Sequence, residues 1–168
     1  MAEETNAHMK VAMADVMGIL VISMFTFAVA CALLPIGTDV INLVVAIGPI
    51  VSILCIVTAF YMFWNENLLG TAIFGPLAVF FWTIVLVTGD SAGMLCVVIG
   101  IIALIDAGLS LFQPVKMLPI LLGVAAIAFF VTAAMYMGNP DLDVAAGALW
   151  MIYSLISFYM AAAIVLLV

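Results

Sequence analysis

The feature that most constrains this chain is the recurrence of apolar runs near the length that crosses a bilayer. Punctuation by Pro, Gly, Asp and Asn divides the sequence into six of them, at 11–34, 40–63, 68–88, 93–112, 117–137 and 145–168. Each is close to the ~20 residues a helix needs to cross ~30 Å of hydrocarbon. A spanning segment must satisfy its backbone polar groups internally, so runs of this length read as helices. The expected fold is therefore all-α and polytopic. Six transmembrane helices form one compact bundle over 11–168, after a polar cytoplasmic tail over 1–10. The breaks "PIGTD", "WNEN", "TGDSAG", "FQPVK" and "GNPDLD" are short, which makes successive helices antiparallel neighbours.

Composition excludes the soluble alternatives. With 70% hydrophobic and 7% charged residues, a soluble fold would have to present an oily surface. Lys10 and Lys116 are the only basic residues, so there is no patch for nucleic acid and no polybasic cluster for anionic lipid. The expected surroundings are the lipid bilayer and other copies of the chain. Cys31, Cys55 and Cys96 lie in apolar segments and suggest no disulfide. His8, the single histidine, sits in the polar tail, so no histidine-built metal site and no cofactor are expected. The tail lacks the basic start of a secretory signal, and the first apolar run reads as a retained span.

Charge sets an expected orientation. Lys10 precedes the first span and Lys116 follows the fourth, so an even number of crossings puts both on one side, which the positive-inside rule makes cytoplasmic. Asp39, Asp90, Asp141 and Asp143 then fall on the opposite side. Both termini are expected in the cytoplasm and the protein in the plasma membrane.

Small residues recur at helical spacing, as Gly93, Cys96, Gly100, Ala103, Ala107 and Ser110 in the fourth span and Gly48, Ser52, Cys55 and Ala59 in the second. Steps of three and four keep each set on one face. Such faces allow helices to approach closely in lipid, or they line a narrow pathway, and spacing alone does not separate the two. Pro49 and Pro76 fall inside spans, where each frees a carbonyl. A kink is expected at Gly75–Pro76.

The chain has no G-x-S-x-G, no H-E-x-x-H and no glycine-rich phosphate loop. With no basic side chain inside the spans, catalysis is not expected. Transport or conduction of a small solute is the leading class, and a structural or assembly subunit is the rival. Polar side chains in hydrocarbon are costly unless they meet partners or water. On that ground Asn67, Thr71, Thr83, Ser154, Ser157 and Tyr159 are candidates for the pathway lining, with helix-to-helix hydrogen bonding as the equal alternative.

Two stretches carry a family resemblance. In "ENLLGTAIFGPLAVFFW", Asn67, Gly70, Phe74 and Phe80 match without a gap the third-helix signature of the acetate uptake transporter family, also called the succinate–acetate permease family. In "GNPDLDVAAGALWMIYSLISFYMAAAIVL", Gly138, Asn139, Ala146, Gly147, Tyr159, Ala161, Val165 and Leu166 fall where that family's last hairpin and sixth helix have their pattern. The chain departs from the family at Leu77, where a tyrosine is usual, and at Ile164, where an acid is. It also lacks the opening N-P-x-P-L-G-L, of which only Gly18 has a counterpart. The stretch "IGPIVSILCIVTAFYMFWNEN" is similar to the urea/amide channel family at Gly48, Pro49, Thr58, Tyr61 and Asn65. The first resemblance implies a homohexameric ring with one pore in each protomer, pinched by bulky apolar side chains. Acetate-like monocarboxylates, with or without a proton, would be the solutes. Phe25, Phe74, Leu77 and Phe130 are the constriction candidates on that reading. The second resemblance implies urea, a short amide or ammonium.

One carboxylate is out of place. Asp106 lies in the cytoplasmic half of the fourth span, in "VVIGIIALIDAGLSLFQPVK". A charge in the membrane is expensive, so such a residue faces protein or water. It caps a neighbouring helix, reaches the interface near Lys116, or is a protonatable group in the pathway. Its place near the cytoplasmic end favours a structural role, and Asp106 is also the one candidate for a proton site.

Overall fold

A computed structural model describes residues 14–37 and 39–166. The tail at 1–10 with His8 and Lys10, and the outermost residues of the first and last expected spans, lie outside them. The described residues form six α-helices: α1 (Ala14–Leu33), α2 (Val40–Trp64), α3 (Leu68–Ile84), α4 (Gly89–Ser110), α5 (Leu118–Tyr136) and α6 (Asp143–Leu166), with a 3₁₀ turn at Pro140–Leu142 before α6. Five of them are long and apolar enough to cross a membrane, and the sixth, α3, is a shorter apolar helix of 17 residues. The chain is thus an all-helical protein of the membrane type. Its outer surface agrees: Met24, Ile50, Phe60, Val79, Leu104 and Leu155 are all more than half exposed, an arrangement that suits lipid and not water.

The helices close into a ring. Each packs on its neighbours in sequence, and α6 returns to pack along α1, with the most extensive contacts at α4/α5, α1/α6 and α2/α3. The turns after α1, α3 and α5 gather at one end with Asp39, Asp90, Asp141 and Asp143, here called the aspartate end. Those after α2 and α4 gather at the other, here called the Lys116 end.

Small residues set the spacing of the ring. A Cβ on Gly18 would stand 2.5 Å from Phe74 Cε1 and 2.7 Å from Thr58 Cγ2, so α1, α2 and α3 meet as closely as they do because position 18 has no side chain. Gly48 meets α3 in the same way, its missing Cβ lying 2.7 Å from Val85 Cγ1 and 3.0 Å from the Phe81 carbonyl. The small stripes of α2 and α4 are accordingly buried or half-buried throughout. Close approach of this kind replaces the hydrophobic force that is absent between helices in lipid. Hydroxyls cross-link α2 to α3: Ser52 Oγ donates to the Ala78 carbonyl at 2.7 Å, and Thr71 Oγ1 to the Ala59 carbonyl at 3.4 Å. Both helices run unbroken through Pro49 and Pro76.

Local chemistry fixes the turns. The α2 helix ends in a Schellman arrangement, with Asn67 N–H donating to the Met62 carbonyl (2.9 Å) and Glu66 N–H to the Phe63 carbonyl (3.0 Å). Glu66 holds the left-handed conformation this needs (φ 59°). Asn67 then caps α3, its side-chain oxygen accepting from Gly70 N–H at 2.9 Å. At the far end of α5, Asn139 N–H reaches the Ala134 carbonyl at 3.2 Å while Gly138 turns the chain at φ 110°. Asn67, Gly70, Gly138 and Asn139, four residues on which the family resemblance rests, are therefore all used to turn the chain.

Candidate functional site

Two cavities lie among the described residues of the ring. The larger, of about 290 Å³, runs from Val87 and Thr88 at the aspartate end down to Asp106, and all six helices contribute to its wall. The smaller, of about 250 Å³, reaches the Lys116 end, where Asn67 and the loop residues Gln113, Pro114 and Val115 line it. Either is several times the ~30 Å³ that one water molecule takes up in the liquid. Four side chains border both: Ile22 of α1, Ile73 of α3, Leu122 of α5 and Tyr153 of α6. They form a septum, one residue from each of four helices, between two spaces that approach from opposite ends.

One to two helical turns from the septum, towards the aspartate end, the large cavity is crossed by a chain of aromatic rings. Phe25 meets Phe81 at 4.7 Å between centroids, Phe81 meets Phe80 at 5.4 Å, and Phe80 meets Phe129 at 5.0 Å. Phe129 meets Trp150 at 4.9 Å and Trp150 meets Tyr153 at 5.8 Å. All five contacts are edge-to-face, the arrangement that the ring quadrupoles favour. The belt runs α1–α3–α5–α6, through the same four helices as the septum. Trp150 Nε1 donates to Thr132 Oγ1 at 2.9 Å, which fixes the indole and leaves its ring edge-on to Phe129.

The polar groups of the large cavity are few, and most are occupied. Thr26 Oγ1 donates to the Ile22 carbonyl (2.9 Å) and Thr132 Oγ1 to the Ala128 carbonyl (2.7 Å), each one turn back in its own helix. Asp106 is the one carboxyl group among the described residues of that wall. It is 4% exposed and borders the cavity, and among the described residues it makes no hydrogen bond or ion pair. Lys116 is exposed in the α4–α5 loop and lines neither cavity. Among the described residues no lysine, arginine or histidine lines either cavity.

The residues chosen from sequence divide as follows. Asn67 borders the small cavity while capping α3. Thr71 donates to the Asn67 carbonyl (3.1 Å) and, at 3.4 Å, to the Ala59 carbonyl, and it borders neither cavity. Thr83 is half-buried on α3, also away from both. Ser154 is buried and donates to the Met151 carbonyl at 2.9 Å. Ser157 is buried one turn after Tyr153. Tyr153 interacts with it along the helix, but the Ser157 hydroxyl lacks a partner with hydrogen-bond geometry. Neither serine borders a cavity, and Tyr159 stands on the outer surface at 64% exposure. Of the bulky candidates, Phe25 and Leu77 line the large cavity and Phe74 the small one. Phe130 is turned outward over Gly100, where a Cβ would lie 3.1 Å from its ring. The sequence reading did not single out Phe80, Phe81, Phe129, Trp150 and Tyr153 as lining. Its one usable signal was Trp150 and Tyr153 three residues apart, which places both on one face of α6.

Among the described residues no three His, Cys, Asp or Glu side chains come together to hold a metal ion. No protein-family model matches the chain, and no curated protein matches it. The likeness to acetate transporters and amide channels therefore rests on the residues named above.

Proposed function

We propose that this protein is a membrane conduit for small solutes, with six membrane-crossing helices arranged around a pathway within each chain. The observation that carries the reading is the pair of cavities that approach from opposite ends and abut at Ile22, Ile73, Leu122 and Tyr153. A bundle that served only to pack helices has no need of two opposed spaces sharing one four-residue wall. The wall chemistry selects the solute class. It is largely apolar, it has no cation to hold an anion, and its one charged group in the large cavity is a carboxylate. An acetate-like monocarboxylate is the first choice, and in such a wall it travels with a proton. Urea and short amides are the second choice, favoured by the same lack of a cation.

Several finer features belong to this reading. The Lys116 end faces the cytoplasm of a plasma membrane, on the positive-inside rule. Copies of the chain assemble, with a hexamer as the first expectation from the family resemblance. Each pathway lies inside one chain, so assembly is not needed to form it. Native mass spectrometry in mild detergent tests the assembly, and a population of monomers alone overturns it.

The test of function is flux into liposomes bearing the pure protein, across acetate, succinate, urea, acetamide and ammonium. Acetate uptake above that of empty liposomes, with competition from other short acids, supports the first choice. Urea and acetamide uptake without acetate favours the second. No protein-dependent flux of any of the five supports a structural or assembly subunit instead.

A further inference from the structure

Asp106 calls for an explanation that packing does not supply. A buried carboxylate in a membrane helix normally has a partner. Asp106 makes no hydrogen bond among the described residues, caps no neighbouring helix and forms no ion pair with Lys116. It is 4% exposed, and it borders the large cavity. Its height follows from the helix ends. It lies four residues before the end of α4 at Ser110, and the septum residue Leu122 lies four residues after the start of α5 at Leu118. The two helices are antiparallel neighbours, so Asp106 is level with the septum, at the deep end of the large cavity. Other titratable groups on that wall are Cys96, Tyr136 and Tyr153.

We infer that Asp106 is the solute-binding group of the pathway: it accepts a hydrogen bond from the N–H or O–H of a small neutral molecule held against the septum. The inference rests on the conduit reading and names the solute class for it. Either oxygen of a carboxyl group accepts a hydrogen bond, and the Asp106 side chain, otherwise enclosed by protein, borders the cavity. A neutral acid, an amide or urea brings such a donor. A carboxylate anion brings none and would meet a like charge with no cation nearby to offset it. Thr26, Thr132 and Trp150 have already committed their polar hydrogens to protein acceptors, and Asp106 is the one carboxyl group on that wall, level with the septum.

Two isomers isolate the effect. Propanamide and N,N-dimethylformamide share one composition, but only propanamide has N–H donors. In proteoliposomes the protein-dependent flux of propanamide should exceed that of N,N-dimethylformamide by roughly tenfold, the weight of one hydrogen bond to a charged group. Asp106→Leu should erase that preference. A folded Asp106→Leu protein that keeps it overturns the inference. Infrared difference spectra give a readout that does not depend on flux. Adding propanamide should shift a carboxyl band in the wild type that Asp106→Asn lacks, and the absence of a shift overturns the inference even if Asp106→Leu fails to fold. Flux without a band shift leaves the conduit reading standing and removes this one. A band shift with no flux of any solute does the reverse.

Discussion

The indole nitrogen of Trp150 on α6 donates a 2.9 Å hydrogen bond to Thr132 Oγ1 on α5, and both side chains line the large cavity. The bond ties the two helices at the height of the aromatic belt. It also orients the ring that joins Phe129 to Tyr153. Hydrogen bonds between membrane helices are worth about 0.6 kcal/mol on average and up to ~1.7 kcal/mol. A double-mutant cycle with Thr132→Val and Trp150→Phe should give a coupling within that range by reversible unfolding in mixed micelles. A coupling indistinguishable from zero would show that the bond does not hold the belt.

Gly18 should tolerate no side chain. A methyl group there would lie 2.5 Å from Phe74 Cε1, 2.7 Å from Phe74 Cζ and 2.7 Å from Thr58 Cγ2. Overpacking of this kind costs about 1–3 kcal/mol. Gly18→Ala should therefore lower the unfolding midpoint in mild detergent, and Phe74→Leu in the same chain should recover part of the loss. Equal losses with and without the second change would mean that the ring is not what the methyl group meets.

At Glu66 the backbone is left-handed, a conformation that suits glycine and penalises a β-branched residue most. Glu66→Gly should leave stability unchanged or slightly improved, whereas Glu66→Val should cost about 1–2 kcal/mol. The same unfolding measurement orders the three proteins. Valine as stable as glutamate would contradict the Schellman ending given to α2.

Much of the fold could be read from apolar run length and break residues. Asn67, Gly138 and Asn139 stand where the chain turns, and the small stripes of α2 and α4 are packing faces. The cavity lining is harder to read, for a physical reason. Hydroxyls in an apolar run suggest a polar lining, but in a helix a serine or threonine can donate to the carbonyl one turn back. Ser23, Thr58 and Ser154 do so, at 2.6, 2.9 and 2.9 Å, and line neither cavity. The cavity wall is built instead from aromatic and branched apolar side chains, which look the same in sequence as those on the outer surface. Phe129 and Phe130 are adjacent, yet one is 3% exposed inside the ring and the other 37% exposed outside it. Only the helix rotation set by Gly93, Gly100 and their partners on α5 tells them apart. Asp106 was conspicuous in sequence because a lone acid in an apolar run is rare, but its lack of a protein partner could not be read there.

The measurement that bears most directly on the conduit is solute flux through a septum altered on purpose. Leu122 is 4% exposed, borders both cavities and belongs to neither the aromatic belt nor any turn. Stopped-flow uptake of acetamide and of acetic acid should be compared for wild type, Leu122→Ala and Leu122→Trp in liposomes. Tyr159→Phe, on the outer surface, serves as a control. The account predicts faster uptake for Leu122→Ala, uptake no faster than empty liposomes for Leu122→Trp, and wild-type uptake for Tyr159→Phe. Uptake that ignores the size of residue 122 while the folded proteins remain intact would contradict it.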